Sequence, residues 1–262
     1  MHRKPPQQRL PAAARLNAIR DQLTRSSAIS ISEISERLGV SEMTIRRDLA
    51  ILEKSSDVRR THGGAVVAER MAFEFNYLTR QRERLKEKRL IAGAARKLVE
   101  SGQRLILDTG TTTLELAALL KDCDGLTVIT PSLAVASELQ FSENIDVVLL
   151  GGILHRGSPD LTGPVTEHCL ELFSADWVFQ GVEALGRDGS TYNVDLQLAQ
   201  VDRIMRRKAA RSCLLADSSK VGQTALVKNG MLADFDVLIT DRTVPRDYLK
   251  MARRMTKEVI LV

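Results

Sequence analysis

GVSEMTIRRDLAILE, Gly39 to Glu53, reads as a short basic helix with its own start signal and a turn in front of it. Ser41 is placed to cap the free backbone N–H groups of the first turn, and Ile45, Leu49 and Leu52 recur at spacings of four and three as a buried stripe. Met43, Thr44, Arg46, Arg47 and Ala50 are left facing outward or to the flanks. Upstream, SEISERL begins at Ser32, a second candidate cap, turns Ile34 and Leu38 inward and stops at Gly39. Further back, Pro11 suits a helix's first position, and Leu16, Ile19 and Leu23 carry a first helix to about Thr24. Two short helices joined by a tight turn, the second led by small polar and basic groups, form a helix-turn-helix; the spacing alone also fits an ordinary surface hairpin of helices.

Downstream of the helix, Val58 to Thr61 and Ala65 to Val67 are short β-prone segments around His62-Gly63-Gly64, where glycines permit the positive φ of a tight hairpin. This is a wing carrying Arg59, Arg60 and His62, suited to phosphate or minor-groove contact beside a helix in the major groove. Charge divides the same way. Residues 1–100 hold 21 Lys/Arg against 12 Asp/Glu and the remainder 17 against 21, so the net +5 hides a basic N-terminal part and an acidic C-terminal one.

Residues 1–10 are basic and rich in Pro and Gln without periodicity, expected as a disordered arm ahead of a DNA-binding domain over 11–69. Residues 70–102 are expected to link and dock. Phe73, Phe75 and Tyr77 serve interdomain packing, and the charged helix RQRERLKEKRLIAGAARKLVE turns apolar at Ile91, Ala95 and Leu98 before Gly102 stops it. From 103 to 262 the pattern changes to short apolar runs alternating with helical stretches. These runs, RLILD (104–108), LTVIT (126–130), IDVVLL (145–150), DWVFQ (176–180), SCLLAD (212–217), DVLIT (236–240) and EVILV (258–262), predict a mostly parallel sheet of about seven strands in an α/β domain. Ligands in such sheets bind where strands end at their carboxyl edge.

The first run ends in Asp108-Thr109-Gly110-Thr111-Thr112-Thr113 immediately before a helix. Hydroxyls, a permissive glycine and a helix N-terminus make a phosphate cradle without the lysine of a Walker loop; threonines that merely cap the helix would look the same. Ser132 follows the second run, Gly151 and Gly152 the third, Gly181 the fourth, and Asp217, Ser218 and Lys220 the fifth. Together they suit a pocket for one small, oxygen-rich anion with Lys220 as counter-charge.

The strings ISEISERLGVSEMTIRRDLAILE and VRRTHGGAVV, followed in order by LDTGTTTLELA, TVITPSLAVASEL, VVLLGG, LTGP, ADWVFQG, LLADSSKVG and ITD, resemble the DeoR-type family of bacterial transcription repressors over nearly the whole chain after residue 10. The resemblance implies a winged helix-turn-helix followed by an effector domain related to ribose-phosphate isomerase and CoA-transferase folds, one that senses a phosphorylated sugar and oligomerises. It places the phosphate on Thr109 to Thr113 and the sugar against Asp217 and Lys220. The chain departs from the family at Ser56-Asp57, where a glycine and an apolar residue are usual, at Pro131 for asparagine, in QGVEALG (180–186), and at Leu198 and Asp202, where glutamate and lysine are frequent.

The reading is a regulator of double-stranded operator DNA, a repressor of a sugar-metabolism operon acting as a homo-oligomer, its affinity set by a phosphorylated sugar. DNA contacts fall on Ser41, Glu42, Met43, Thr44, Arg46, Arg47, Arg59, Arg60, His62 and Gly63. The alternative is a sugar-phosphate isomerase or transferase with an attached DNA-binding domain, for which Asp108, Glu183, Asp195, Asp217 and Lys220 supply acid and base groups. Asp202 in the place of a lysine, and the scatter of His2, His62, His155 and His168, count against it. No cofactor or metal is expected: the three cysteines are far apart in apolar surroundings, and no GxGxxG follows the first strand. No apolar run approaches the roughly 20 residues of a membrane helix, and Pro5 and Pro6 interrupt any signal-peptide core, so the expectation is a cytoplasmic protein.

Overall fold

The computed structural model describes residues 11–26, 28–54, 58–61, 63–67, 77–155 and 158–262. The N-terminal arm, Ser56-Asp57, His62, Phe73 and Phe75 lie outside these. The chain divides into two compact units, one of residues up to 80 and the other of residues from 81 on, apart from 156–158.

In the first unit α1 (Ala12–Ser26), β1 (Ala28–Ser30), α2 (Ile31–Leu38), α3 (Glu42–Lys54), β2 (Val58–Arg60) and β3 (Gly64–Val67) follow in order. The apolar stripes meet as the spacing requires, with Ile19, Leu23, Ile34, Ile45, Leu49 and Leu52 all buried in one core. Pro11 stands just outside α1, its carbonyl accepting from the Arg15 amide at 3.0 Å. Ser32 is not the cap of α2. That helix begins at Ile31 behind Ser30, whose hydroxyl pairs with that of Ser32 at 2.8 Å, because the short strand β1 runs directly into the helix.

β1 is the element that the pattern concealed, since three residues are too few to show a period. It completes an antiparallel sheet of order β1-β3-β2. It also explains the wing's glycines. Gly64 is not in the positive-φ region; a Cβ on it would fall 1.9 Å from the Ile29 carbonyl oxygen, so only glycine lets β3 lie against β1.

In the second unit α4 (Leu85–Arg96) precedes β4 (Arg104–Leu107), α5 (Thr111–Leu120), β5 (Leu126–Thr130), α6 (Leu133–Leu139), β6 (Ile145–Leu149), the hairpin β7 (Ile153–Leu154) and β8 (Leu161–Thr162), and α7 (Pro164–Glu171). Then come β9 (Ala175–Gln180), β10 (Ala184–Leu185), β11 (Ser190–Asn193), α8 (Leu196–Arg207), β12 (Ala209–Leu215), β13 (Val227–Met231), β14 (Val237–Thr240), α9 (Arg246–Met255) and β15 (Glu258–Leu261). The seven apolar runs are the seven strands of one sheet, ordered β15-β14-β12-β9-β4-β5-β6, and every pairing is parallel. Alternate residues serve opposite faces. Leu105 and Leu107 pack with Ile91, Ala95, Leu116 and Leu139 of α4, α5 and α6, while Ile106 packs with Leu170, Val201 and Ile204 of α7 and α8.

From β4 the chain winds through β5 and β6 to one edge, then returns to β9 and winds through β12, β14 and β15 to the other. The order therefore reverses between β4 and β9, where a parallel sheet opens a crevice at its carboxyl edge. A smaller antiparallel sheet, β10-β11-β13, was not anticipated: STYN and VKNGM lack the apolar continuity of the main strands. The charged helix before the sheet is not continuous either. Arg84 sits in the left-handed region at φ 54°, α4 begins after it and ends by Lys97, and Gly102 belongs to the turn into β4, its amide bonded to the Asp124 carbonyl.

Candidate functional site

Two separate constellations carry polar chemistry. On the first unit, α2 ends at Gly39, at φ 63°, and the amides of Gly39 and Val40 return to Glu36 and Ser35. α3 then starts behind Ser41, whose hydroxyl accepts from the Thr44 amide at 3.2 Å and pairs with the Thr44 hydroxyl at 2.9 Å. The buried stripe fixes the opposite face outward. Met43 is 60% exposed, and Glu42, Arg46 and Arg47 are exposed beside it.

Arginines meet this helix at three points. Arg15 of α1 makes a two-pronged contact with buried Asp48, Nε to Oδ2 at 2.8 Å and Nη2 to Oδ1 at 3.0 Å, which fixes the rotation of α3 about its axis. Arg46 lies 3.6 Å from Glu42 one turn back. Arg60 of β2 gives its Nε to Glu53 at 2.6 Å. Gly63 is exposed at the wing turn, and its carbonyl accepts from the Ile31 amide at 3.0 Å. Arg59 has its backbone in β2.

In the second unit the crevice between β4 and β9 is closed by Asp108. Its Oδ1 accepts from the Thr109 amide at 2.6 Å and its Oδ2 from the Gly181 amide at 2.8 Å, so one carboxylate joins the two strand ends. Gly110 and Gly181 approach so closely that a Cβ built on either would lie 3.6 to 3.7 Å from the other's Cα. Gly110 precedes α5 and no side chain caps that helix, so the threonines are not caps. The first-turn amides at Thr111, Thr112 and Thr113 have no carbonyl within the helix to meet, which is what an anion needs. Thr113 is buried, and its hydroxyl donates to the carbonyls of Asp108 and Gly110, whereas Thr109 and Thr111 are half-exposed.

Behind Asp108 lies a network that sequence patterns did not reveal. Asp202 of α8 accepts on Oδ2 from Asn193 at 2.9 Å and Asn229 at 2.7 Å, and its backbone carbonyl accepts from Gln180 at 3.0 Å. Arg206, one turn on, donates to Gln180 Oε1 at 3.2 Å and to the Asn229 carbonyl at 2.5 Å, with its guanidinium over the Phe235 ring. Thr191 donates to Asn229 Oδ1 at 2.7 Å. Burial drives the Asp108 carboxyl well above the usual range, Asp202's charge adding to it and the two amides opposing it. Burial also raises Asp202, against the pull of its asparagines and Arg206, and lowers Arg206. The departure from family pattern at Asp202 is therefore a buried carboxylate fully built into its surroundings.

The remaining strand-end residues are placed as follows. Ser132 is buried and caps α6 through the Val135 amide at 3.3 Å. The Gly151 carbonyl accepts from Thr166 at 2.7 Å, and Gly152 follows it beyond β6. Asp217 accepts from Ser219 and lies 3.6 Å from Arg84; Ser218 takes Arg84 Nη2 at 2.9 Å and gives its amide to Asp241 at 2.7 Å. Lys220 is half-buried, its amide bonded to the Asp217 carbonyl. Four strand spacings, about 19 Å, separate β12 from β6, whereas Asp108, Gly110 and Gly181 are in contact across one.

A helix-turn-helix with a wing, joined to a doubly wound sheet with a polar crevice at its switch point, defines a DNA-binding regulator with a sensor unit. Family models give the same division: one for the DeoR-like helix-turn-helix domain matches residues 15–71, and one for the DeoR C terminal sensor domain matches residues 83–242. The chain belongs to the DeoR family of transcriptional regulators. It is 34% identical to the HTH-type transcriptional regulator GlpR of Haloferax volcanii, over 90% of this chain and 92% of that one. It is 33% identical to the HTH-type transcriptional repressor GlcR of Bacillus subtilis (94% and 95%), and 32% to the glycerol-3-phosphate regulon repressor of Haemophilus influenzae (90% and 92%). Among solved structures, ribose 5-phosphate isomerase A from Methanocaldococcus jannaschii aligns at 19% identity and TM-score 0.39, over 51% of this chain and 53% of that one, a likeness too slight to bear on activity.

Proposed function

We propose that the chain represses a sugar-metabolism operon and that a phosphorylated sugar, bound at the carboxyl ends of β4 and β9, sets its affinity for operator DNA. The observation that carries this is Asp108: a buried carboxylate clamps Thr109 and Gly181 at the switch point, directly before the amides of α5. The phosphate belongs with Thr109, Gly110 and the α5 amides, the sugar hydroxyls with the side of Asp108, and Asp217, Ser218 and Lys220 extend the site from β12. Operator contacts belong to Ser41, Glu42, Met43, Thr44, Arg46, Arg47, Arg59, Arg60, His62 and Gly63. The functional division is a DNA-binding domain over 11–69, a linking segment over 70–102 and a sensor over 103–262. The relatives' names support regulation of sugar or glycerol phosphate genes, and the same names support a protein of the cytoplasm. No helix among the described residues is long and apolar enough to cross a membrane. A homo-oligomer fits two-fold operator sites.

The sensor binds and does not turn over. Asp202 holds two asparagines instead of facing a substrate carbon, and the Thr113 hydroxyl is engaged with carbonyls. Two assays on the full chain test this. Calorimetric titration with triose, pentose and hexose phosphates should show saturable binding of at least one, abolished by a bulky residue in place of Gly110; no binding across the panel removes the sensor assignment. The same panel should give no conversion, and conversion that disappears in Lys220→Ala would make the chain an enzyme.

A further inference from the structure

Each of the three carboxylates on the recognition helix meets an arginine, and the three pairs differ in what the arginine has left to offer. Arg15 uses Nε and Nη2 on buried Asp48 and acts as a brace. Arg46 and Glu42 are both about half-exposed and 3.6 Å apart, a loose pair of the kind that contributes little. Arg60 is different. Glu53 Oε2 accepts its Nε at 2.6 Å while Oε1 accepts its own backbone amide at 3.3 Å, so one carboxylate grips the residue at the main chain and at the root of the guanidinium. These same hydrogen bonds hold the Glu53 carboxyl below the usual range, keeping it ionised.

What this grip leaves is the far end of the guanidinium. Among the described residues the Arg60 side chain has Glu53 as its partner, through Nε, which leaves Nη1 and Nη2. Arg60 lines a cleft of about 560 Å³ between α3 and the wing, together with Arg46, Thr61, Gly64, Leu49 and Ile31. Among the described residues the charged groups of that lining are the two arginines. An arginine anchored at Nε has lost most of its side-chain freedom before any ligand arrives, and a planar fork fixed in this way suits a tetrahedral anion. Two guanidiniums converging on one cleft match a backbone phosphate better than a base edge, which one arginine reads alone.

We propose that Glu53 is a positioning residue for DNA binding: it holds Arg60 by Nε and by the main-chain amide so that the remaining guanidinium nitrogens, with Arg46 across the cleft, seat one phosphate of the duplex. The contact is with the sugar-phosphate backbone and carries no sequence preference.

Binding of the full chain to its own upstream duplex and to a scrambled duplex, measured against salt, tests this. Loss of one seated phosphate lowers the slope of log K against log salt by about 0.9, so a fourfold rise in salt costs roughly threefold less affinity than in the parent. Glu53→Gln should show this loss, Arg60→Gln the same loss, and the double variant no more than either. The ratio of operator to scrambled affinity should not move. Removing a negative charge would by itself strengthen DNA binding, so the expected change has the opposite sign to a general field effect. Arg60→Lys has a single terminal nitrogen, which the Glu53 carboxylate takes up with none left for the phosphate, and should also lose the slope. Thermal unfolding of each variant separates a fastening role from a positioning one. A lower melting temperature with an unchanged slope overturns the proposal, as do additive losses in the double variant, a full slope in Arg60→Lys, or a changed operator-to-scrambled ratio.

Discussion

The recognition helix and the strand-end network are both built from charged and amide side chains, yet they are held in opposite ways. On α3 Ile45, Leu49 and Leu52 are hidden while Glu42, Arg46 and Arg47 stand in water, and Arg46 and Arg60 are each paired with a single carboxylate. Around Asp108 the polar groups are themselves hidden, and β4, β9, β11, α8 and β13 each supply a member that is bonded to others. The first arrangement can tolerate losing a side chain and still fold. In the second, any deletion leaves a buried donor or acceptor unmatched. The DNA-facing surface is thus assembled from independent groups, and the proposed ligand site from interlocked ones.

Substitutions can break that contrast. Gly64→Ala has the largest expected effect. Its Cβ would meet the Ile29 carbonyl, so the wing separates from β1, the N-terminal unit loses about 3 kcal/mol in urea unfolding, and specific DNA binding goes with it. Next comes Asp48→Ala, which removes the carboxylate that takes both Nε and Nη2 of Arg15; it should destabilise the same unit by about 2 kcal/mol. Arg47→Ala, in contrast, should leave unfolding unchanged and weaken operator binding by about 1 to 2 kcal/mol while relaxing discrimination against a scrambled duplex. An Arg47→Ala protein that melts early would place that side chain in the fold's support instead of on the DNA face.

Smaller still is the effect of a substitution inside the network, which shows itself through pH. Because burial raises the Asp108 and Asp202 carboxyls above their unfolded values, the folded chain keeps protons that the unfolded chain has released. Their contribution to stability is therefore fully present below the ordinary aspartate range and declines as pH rises from there through the raised values. Asp202→Asn, which keeps an acceptor for Asn193 and Asn229, should flatten that decline and add about 1 kcal/mol at the alkaline end. A steeper decline in the variant would show that Asp202 is the charge that relieves the site instead of the one that burdens it.

The same contrast explains what could be read from the chain in one dimension. A helix whose buried face recurs at Ile45, Leu49 and Leu52, and strands as continuous as LTVIT, write their period into neighbouring residues, so the helix-turn-helix and all seven parallel strands were legible. β1 and β11 were not, being too short or too polar to show a period. Asp108 announced itself by standing between a strand and a helix. Its companions Gln180, Asn193, Arg206 and Asn229 come from four separate segments, each ordinary by itself, and only the sheet order brings them together. In the sequence the glycines at 63 and 64 suggest freedom of backbone angle, while the requirement at Gly64 is space against β1, a strand without a visible period.

The most direct measurement is the affinity of the full chain for its upstream operator duplex, taken by fluorescence anisotropy at fixed salt with and without each sugar phosphate of the panel. At least one should change operator affinity severalfold, and that change should vanish when Gly110 is replaced by a bulky residue while affinity without ligand remains as in the parent. Operator affinity that no phosphorylated sugar alters, in a protein that binds the duplex specifically, would contradict a sensor at the ends of β4 and β9.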